Sequence, residues 1–214
     1  MNNDTNNSVE LIGIYGSDET HALSAWTSTS RALGPKKRAR IDKLLNMLAS
    51  EGHHTPFEKS MLHFLVKSDI ATHIHLLKHR IGVSTNGESA RYKEFKIDKY
   101  YVPIDWPEEE KEEYEEFIRN AFEKYHSVLS RLEEKGFSRK RAKESARFYL
   151  PYGIQIICDV SFNWRSFAHF QNLRNDPHAQ LEVQRIAKEM LKLVEEQNNF
   201  PLTIQAMRSC NMIP

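Results

Sequence analysis

Apolar positions recur along this chain mostly at helical spacing, with a few short runs that suit strands. Val9 to Tyr15 (Val-Glu-Leu-Ile-Gly-Ile-Tyr) predicts a first strand, and residues 1–8 before it are polar, a disordered tail. Residues 19–33 read as a helix. Lys36 to Glu51 places Ile41, Leu44, Leu45 and Leu48 on one face and stops at Gly52. The basic run 35–40 resembles an import tag but reads better as the solvated first turns of that helix. Thr55-Pro56-Phe57-Glu58 has the form of a capping box. Ser60 to Lys67 alternates as a strand does. Asp69 then caps a helix running to about Arg80, with Ile70, Ile74, Leu77 and Ile81 as its buried stripe and His75 and His79 on a neighbouring face.

In the second half, Tyr100-Tyr101-Val102 is strand-like. Glu108 to Lys135 forms a long amphipathic helix with Tyr114, Phe117, Ile118, Ala121, Phe122, Tyr125, Val128, Leu129 and Leu132 on its core face. Ser138 caps a shorter helix that must end near Leu150-Pro151. The nearly continuous apolar stretch from Tyr152 to Phe162 predicts a central strand. Asn163 caps a helix to about Arg174, Asp176-Pro177 starts another to about Glu196, and Phe200-Pro201 opens a last short one. Helices outnumber strands and no linker or repeat interrupts them. The expected fold class is mixed α/β (α+β): one helix-rich domain, residues 9–214, around a small sheet.

Composition narrows the function. A net charge of +1 over 214 residues gives no global basic field, so long nucleic acid is not an expected partner. The two cysteines, Cys158 and Cys210, make no disulfide framework or metal knuckle and fit a reducing, cytoplasmic setting. No run of about 18 apolar residues predicts a membrane span. The N-terminus lacks an apolar signal core.

Against that near-neutral background, one segment concentrates charge. Lys78-His79-Arg80 is followed by a loop of small and polar residues and then Ser89-Ala90-Arg91-Tyr92. Guanidinium forks suit phosphate, and Gly82 and Gly87 let backbone N–H groups approach a ligand. Glu144-Ser145-Ala146-Arg147 reads in isolation as an i,i+3 surface pair. Asn163 to Arg174 sets Asn163, Ser166, His169 and Arg174 beside Phe167 and Phe170 at near-helical spacing.

Taken in order, Gly52-His53-His54-Thr55-Pro56-Phe57-Glu58, Lys78-His79-Arg80 through Ser89-Ala90-Arg91-Tyr92, Glu144 through Arg147, and Asn163 through Arg174 with Asp176 to Gln180 resemble the flavin-dependent thymidylate synthases. The resemblance covers most of the chain. It implies that family's fold, with a mainly antiparallel sheet, and conversion of dUMP to dTMP. It also implies methylenetetrahydrofolate as carbon donor, bound FAD, NADPH as reductant, and a homotetramer with active sites between subunits. By the same resemblance Arg174 is the catalytic residue, stabilising the uracil ring as its N3 ionises. His75, Lys78, Gly87, Glu88, Ser89, Ala90, Arg91, Arg147 and Arg174 are implied to surround dUMP, with Arg91 and Arg147 as phosphate clamps. Ser30, Thr55, Glu58, Lys78, His79, Arg80, Gly87, Asn163, Trp164, Arg165 and His169 are implied to contact FAD. His53 is implied to shape the folate and flavin pocket. Neither cysteine lies in a polar cluster, in keeping with a route that uses no cysteine nucleophile.

The chain departs from the family pattern at three places. Lys78 stands where the family has arginine, eight residues (81–88) precede Ser89 instead of seven, and His75 and His169 replace amides. The longer loop leaves Gly87 and Glu88 as alternatives for the family's acidic position. Two other functions compete. Ten histidines, with His75 and His79 at i,i+4, suit a metal-dependent nucleotide phosphohydrolase, although Lys78 and Arg80 would repel the cation. The basic run 36–40 suits an RNA- or DNA-binding module, which the near-zero net charge opposes.

Overall fold

The computed structural model describes residues 6–89 and 91–214. In chain order its helices are α1 (Asp18–Ala25), α2 (Pro35–Arg38), α3 (Ile41–Ser50), α4 (Ile70–Leu76), α5 (Glu108–Glu134), α6 (Arg139–Ala146), α7 (Trp164–Arg174), α8 (Leu181–Glu196) and α9 (Pro201–Ser209). Four strands, β1 (Ser8–Tyr15), β2 (Met61–Asp69), β3 (Val83–Gly87) and β4 (Gln155–Phe162), form a small antiparallel sheet in the order β1-β2-β4-β3. This is the expected helix-rich α+β class, and β4 is internal as its apolar run predicts. In β2 the period is two: Leu62, Phe64 and Val66 are buried, while Met61, His63 and Leu65 are less so.

The chain packs as two compact units. Of the described residues, the first holds 6–8, 67–74, 87–89 and 91–158, and the second holds 9–66, 75–86 and 159–214. Each is discontinuous in sequence, so no composition shift or linker could mark a boundary. The first unit is built on α5, whose Ile118, Phe122, Tyr125 and Leu129 bury against Ala142 and Ala146 of α6 and against Tyr100, Val102 and Ile154. Alanines on α6 let the two helices approach closely. Tyr100 pairs with Ile154 in an antiparallel bridge.

The second unit has an aromatic core. Phe64 stacks on Phe167 with ring centroids 5.8 Å apart, and Phe162 meets Phe167 and Phe170 at 5.8 and 5.2 Å. Trp164, fully buried, packs on Phe167 and Phe200. Among these rings lies a buried polar chain. His21 Nδ1 and Thr203 Oγ1 are 2.9 Å apart, and Thr203 Oγ1 donates to Asp18 Oδ1 at 2.7 Å. His21 Nε2 lies 2.9 Å from Ser60 Oγ, whose hydroxyl also donates to Phe57 O at 3.2 Å.

Several expectations fail for identifiable reasons. Residues 19–33 are helical only to Ala25 and then a short 3-10 turn, Trp26–Ser28. The helix expected from Lys36 to Glu51 breaks between Arg38 and Ile41, although Gly52 ends it with φ +72°. Thr55–Glu58 is a 3-10 turn with no side-chain cap, because Glu58 is drawn to Arg165 instead. Asp69 does cap α4, accepting from the Thr72 N–H at 2.8 Å, but the helix ends at Leu76. Its buried positions are Thr72, His73 and Leu76; Ile74, Leu77 and Ile81 are exposed, Ile81 at 90%. On α5, Phe117 is likewise exposed. Asp176 to Gln180 is a turn and α8 starts only at Leu181. Within the expected tail, Ser8 belongs to β1 and Asn7 hydrogen-bonds Asp69; residues 1–5 lie outside the described residues.

Burial pushes the His21 imidazole down to about 3. The unfolded chain therefore binds a proton that the folded one refuses, so stability is complete above the free value near 6.5 and is lost as pH falls below it. Between pH 7 and pH 5 this group is expected to remove about 2 kcal/mol. Urea unfolding of wild type and His21→Gln at both pH values checks this: the variant should show a smaller pH dependence, and equal dependences would contradict it.

Candidate active site

The second unit positions most of the cationic motif through the N-terminus of α7. After α4 the chain turns, with the Lys78 N–H donating to His75 O at 3.4 Å and the His79 N–H to Leu76 O at 3.1 Å. Gly82 follows at φ +65°, a left-handed conformation that favours glycine. Asn163 caps α7 by accepting from the Ser166 N–H at 2.9 Å, and its own N–H donates to Gly82 O at 3.2 Å. Ser166 Oγ donates to Ile81 O at 2.6 Å. A Cβ on Gly82 would collide with Ser166 Oγ and Asn163 Nδ2. The turn that carries Lys78-His79-Arg80 is thus held against the first turn of α7.

His79 is buried with its ring edge-on to Phe170 and His169, at 5.0 and 5.9 Å between centroids. Arg174 Nε, at the far end of α7, donates to His79 Nε2 at 3.1 Å. A guanidinium has only donors, so Nε2 carries the lone pair and the proton sits on Nδ1. Burial first, then Arg174, His169 and His75, pushes His79 down to about 4. His75 points elsewhere, its Nε2 2.9 Å from Gln180 Oε1. A cleft of about 630 Å³ opens beside this turn, with His54, Glu58, Asn163, Arg165 and His169 in its wall. Arg165 is paired with Glu58 at 2.7 Å. Lys78 and Arg80 are exposed. Thr55 starts the 3-10 turn that ends at Glu58, and Ser30 is exposed, its Oγ accepting from the Ala32 N–H at 3.3 Å.

The first unit holds the other residues. Gly87 ends β3, where a Cβ would lie 3.8 Å from the His73 ring. Glu88 turns its carboxylate onto β4, accepting from the Ile157 N–H at 2.9 Å and from Lys99 Nζ at 3.1 Å, with Lys93 as a third donor. Burial alone would raise this carboxyl, but the Lys93, Ile157 and Lys99 hydrogen bonds outweigh it and hold it below the ordinary carboxylate range. Glu88 is an anchor of the loop. Ser89 organises the next turn: its carbonyl accepts from the Tyr92 N–H at 3.0 Å and its hydroxyl from the Arg91 N–H at 3.3 Å. Ala90 lies outside the described residues. Glu144 pairs with Arg91 at 2.5 Å and Arg141 at 3.4 Å, so the expected Glu144–Arg147 pair gives way to a longer-range one. Arg147 makes no ion pair among the described residues; it lines a cleft of about 610 Å³ with Glu88, Ser89, Phe95, Phe148 and Tyr152.

Sequence reading missed His54, Ile81 and Asn211 in the wall of the second unit's cleft, and Phe148 and Tyr152 in the first's. It named His53, whereas His54 is the residue that lines the cleft. The Trp164 side chain is core, so only its backbone is available at the cleft. Gly82 carried a usable signal, a glycine two residues after the cationic triplet.

Each unit thus presents a cleft with one arginine and one glutamate in its wall, Arg165 with Glu58 in the second unit and Arg147 with Glu88 in the first. A model of the thymidylate synthase complementing protein family matches residues 10–201. The chain is 32% identical to the flavin-dependent thymidylate synthase of Kosmotoga olearia, over 92% of this chain and 88% of the relative. It is 33% identical to that of Thermosipho melanesiensis, over 95% and 91%. The crystal structure of the UMP/dUMP methylase PolB from Streptomyces cacaoi, bound with 5-Br UMP, superposes with a TM-score of 0.79 at 26% identity, over 98% of this chain and 96% of that one. This chain belongs to the thymidylate synthase complementing protein family, that of the flavin-dependent thymidylate synthases.

Gly82→Ala must either move α7's first turn or abandon the left-handed conformation. It is expected to cost more than about 1 kcal/mol. Thermal unfolding of the purified variant measures this, and an unchanged melting temperature would contradict the packing described.

Proposed function

We propose that this chain is a flavin-dependent thymidylate synthase that converts dUMP to dTMP with methylenetetrahydrofolate as carbon donor and NADPH as reductant. The observation that carries the reading is the meeting of two motifs 95 residues apart, Arg174 Nε on His79 Nε2 at 3.1 Å, in a chain that belongs to this family. The second unit's cleft suits a dinucleotide. Arg165 supplies positive charge from its wall, exposed Lys78 and Arg80 add charge from the turn beside it, and the N–H groups at the start of α7 suit a phosphate. His79, Asn163, His169 and Glu58, with the backbone of Trp164, complete the FAD contacts, and Ser30 and Thr55 serve its adenosine side. Bound FAD supplies the redox chemistry that the protein's own side chains lack.

The protein's part is binding and electrostatics. Arg174 acts as a fixed positive charge toward the uracil as N3 ionises. Arg147, uncommitted in its cleft, and Arg91, held by Glu144, bind the phosphate. Lys78 and His75 add donors; Gly87, Ser89 and Ala90 offer backbone and hydroxyl contacts, and Glu88 keeps their loop in place. Lys78 keeps the charge of the family's arginine without its fork. Ser89 is a binding residue. Cys158 is buried in β4 and is no nucleophile.

The same reading makes the enzyme a homotetramer with active sites between subunits, supported by large apolar side chains left exposed, such as Leu77, Ile81 and Phe148. We place it in the cytoplasm, in keeping with two cysteines and no disulfide framework. No helix of the described residues is long and apolar enough to cross a membrane. The phosphohydrolase alternative gains no support. His75 and His79 take different partners, and among the described residues no three His, Cys, Asp or Glu side chains converge as metal ligands.

Formation of dTMP from dUMP, methylenetetrahydrofolate and NADPH by the purified flavoprotein tests the proposal. Arg174→Ala should lower turnover at least about a hundredfold while FAD stays bound. Arg147→Ala should instead raise KM for dUMP about tenfold. A colourless wild type with no dTMP formed would refute the function, and near wild-type turnover of Arg174→Ala would remove that residue from the mechanism.

A further inference from the structure

The partner of Arg174 is unusual for a buried or half-buried guanidinium. Arg91 and Arg165 are each tied to a carboxylate, Glu144 and Glu58. Arg174 is tied to a neutral imidazole, and this is its one hydrogen bond among the described residues. A carboxylate in that place would fix the guanidinium but also offset its charge, the property a developing anion needs. A neutral acceptor fixes the geometry and leaves the charge whole.

We propose that His79 is a positioning residue for Arg174. Its Nε2 lone pair holds Arg174 Nε and leaves both terminal nitrogens of the guanidinium uncommitted for the substrate. This rests on the reading of Arg174 as the residue that stabilises the uracil, and it adds to His79 a task distinct from touching the flavin. Three features build the acceptor. The residue is 7% exposed and its ring packs edge-on to Phe170, with centroids 5.0 Å apart. The groups facing it are Arg174 and His169 from α7 and His75 from α4, with Lys78 and Arg80 beside it in its own turn, and none of them is an anion. A positive charge on any of them disfavours a second one on His79, so the acceptor survives even where neighbouring histidines charge. His75 and His169 therefore reinforce the neutral state.

Two variants separate positioning from packing. In His79→Gln a side-chain amide oxygen can still accept from Arg174 Nε, whereas His79→Leu fills the space with no acceptor. Turnover is measured per bound flavin, so loss of FAD does not count as loss of positioning. The Leu variant should lose about tenfold or more in kcat with KM for dUMP changed far less, and the Gln variant should recover at least about threefold of that loss. Equal kcat for Leu and wild type, or equal damage in Gln and Leu, would overturn the proposal. Nitrogen-15 spectra of histidine-labelled flavoprotein give a readout independent of turnover. At neutral pH His79 should show a protonated Nδ1 and an unprotonated Nε2, and its Nε2 signal should shift in Arg174→Ala. A doubly protonated ring, or a proton on Nε2, would overturn the proposal even if the wild type made no dTMP, an outcome that would itself refute only the assigned reaction.

Discussion

A guanidinium that is to meet a developing negative charge has to be held without being neutralised. The 3.1 Å hydrogen bond from Arg174 to a neutral His79 holds a guanidinium in that way. The imidazole stays uncharged because it is buried and surrounded by cationic and neutral groups. It stays in place because the turn that carries it is tied to the N-terminus of α7 through Gly82, Asn163 and Ser166. One helix therefore carries the tie at its first turn and the arginine at its last, and its length fixes the distance between them.

The other cations are held in graded ways that fit different tasks. Arg165 and Arg91 have carboxylate partners and suit ligands that bring full negative charge of their own, since phosphate competes well for a paired guanidinium. Arg147 has no ion pair among the described residues. Glu88 does the opposite work: its charge is spent on Lys93, Lys99 and a β4 N–H, and what it secures is the loop before Ser89. A net charge of +1 hides this arrangement, because the carboxylates that balance the cations lie on supporting positions.

Local chemistry was legible in the sequence and long-range partners were not. Asn163 and Ser138 announce helix starts because a cap needs only its own next turn, and both cap as expected. Gly52 announces a helix stop for the same reason. The Ile70-Ile74-Leu77-Ile81 stripe misled because helical periodicity says which residues share a face, and packing decides which face is buried. On α4 the buried face is Thr72, His73 and Leu76, two of them polar, which hydropathy cannot pick. Glu144 looked local and pairs 53 residues away; Glu58 looked like a cap and pairs 107 residues away. Glu88 finds its partner only once β4 lies alongside, where its carboxylate accepts from the Ile157 N–H.

Whether Arg174 stabilises an ionised uracil can be read on the ligand itself. Nitrogen-15 NMR of dUMP labelled at N3, bound to the purified flavoprotein at neutral pH, reports whether N3 keeps its proton. The account predicts that the bound base has lost it, with no one-bond coupling to hydrogen, and that the proton returns in the Arg174→Ala protein. A bound base in wild type that retains the N3 proton would contradict it.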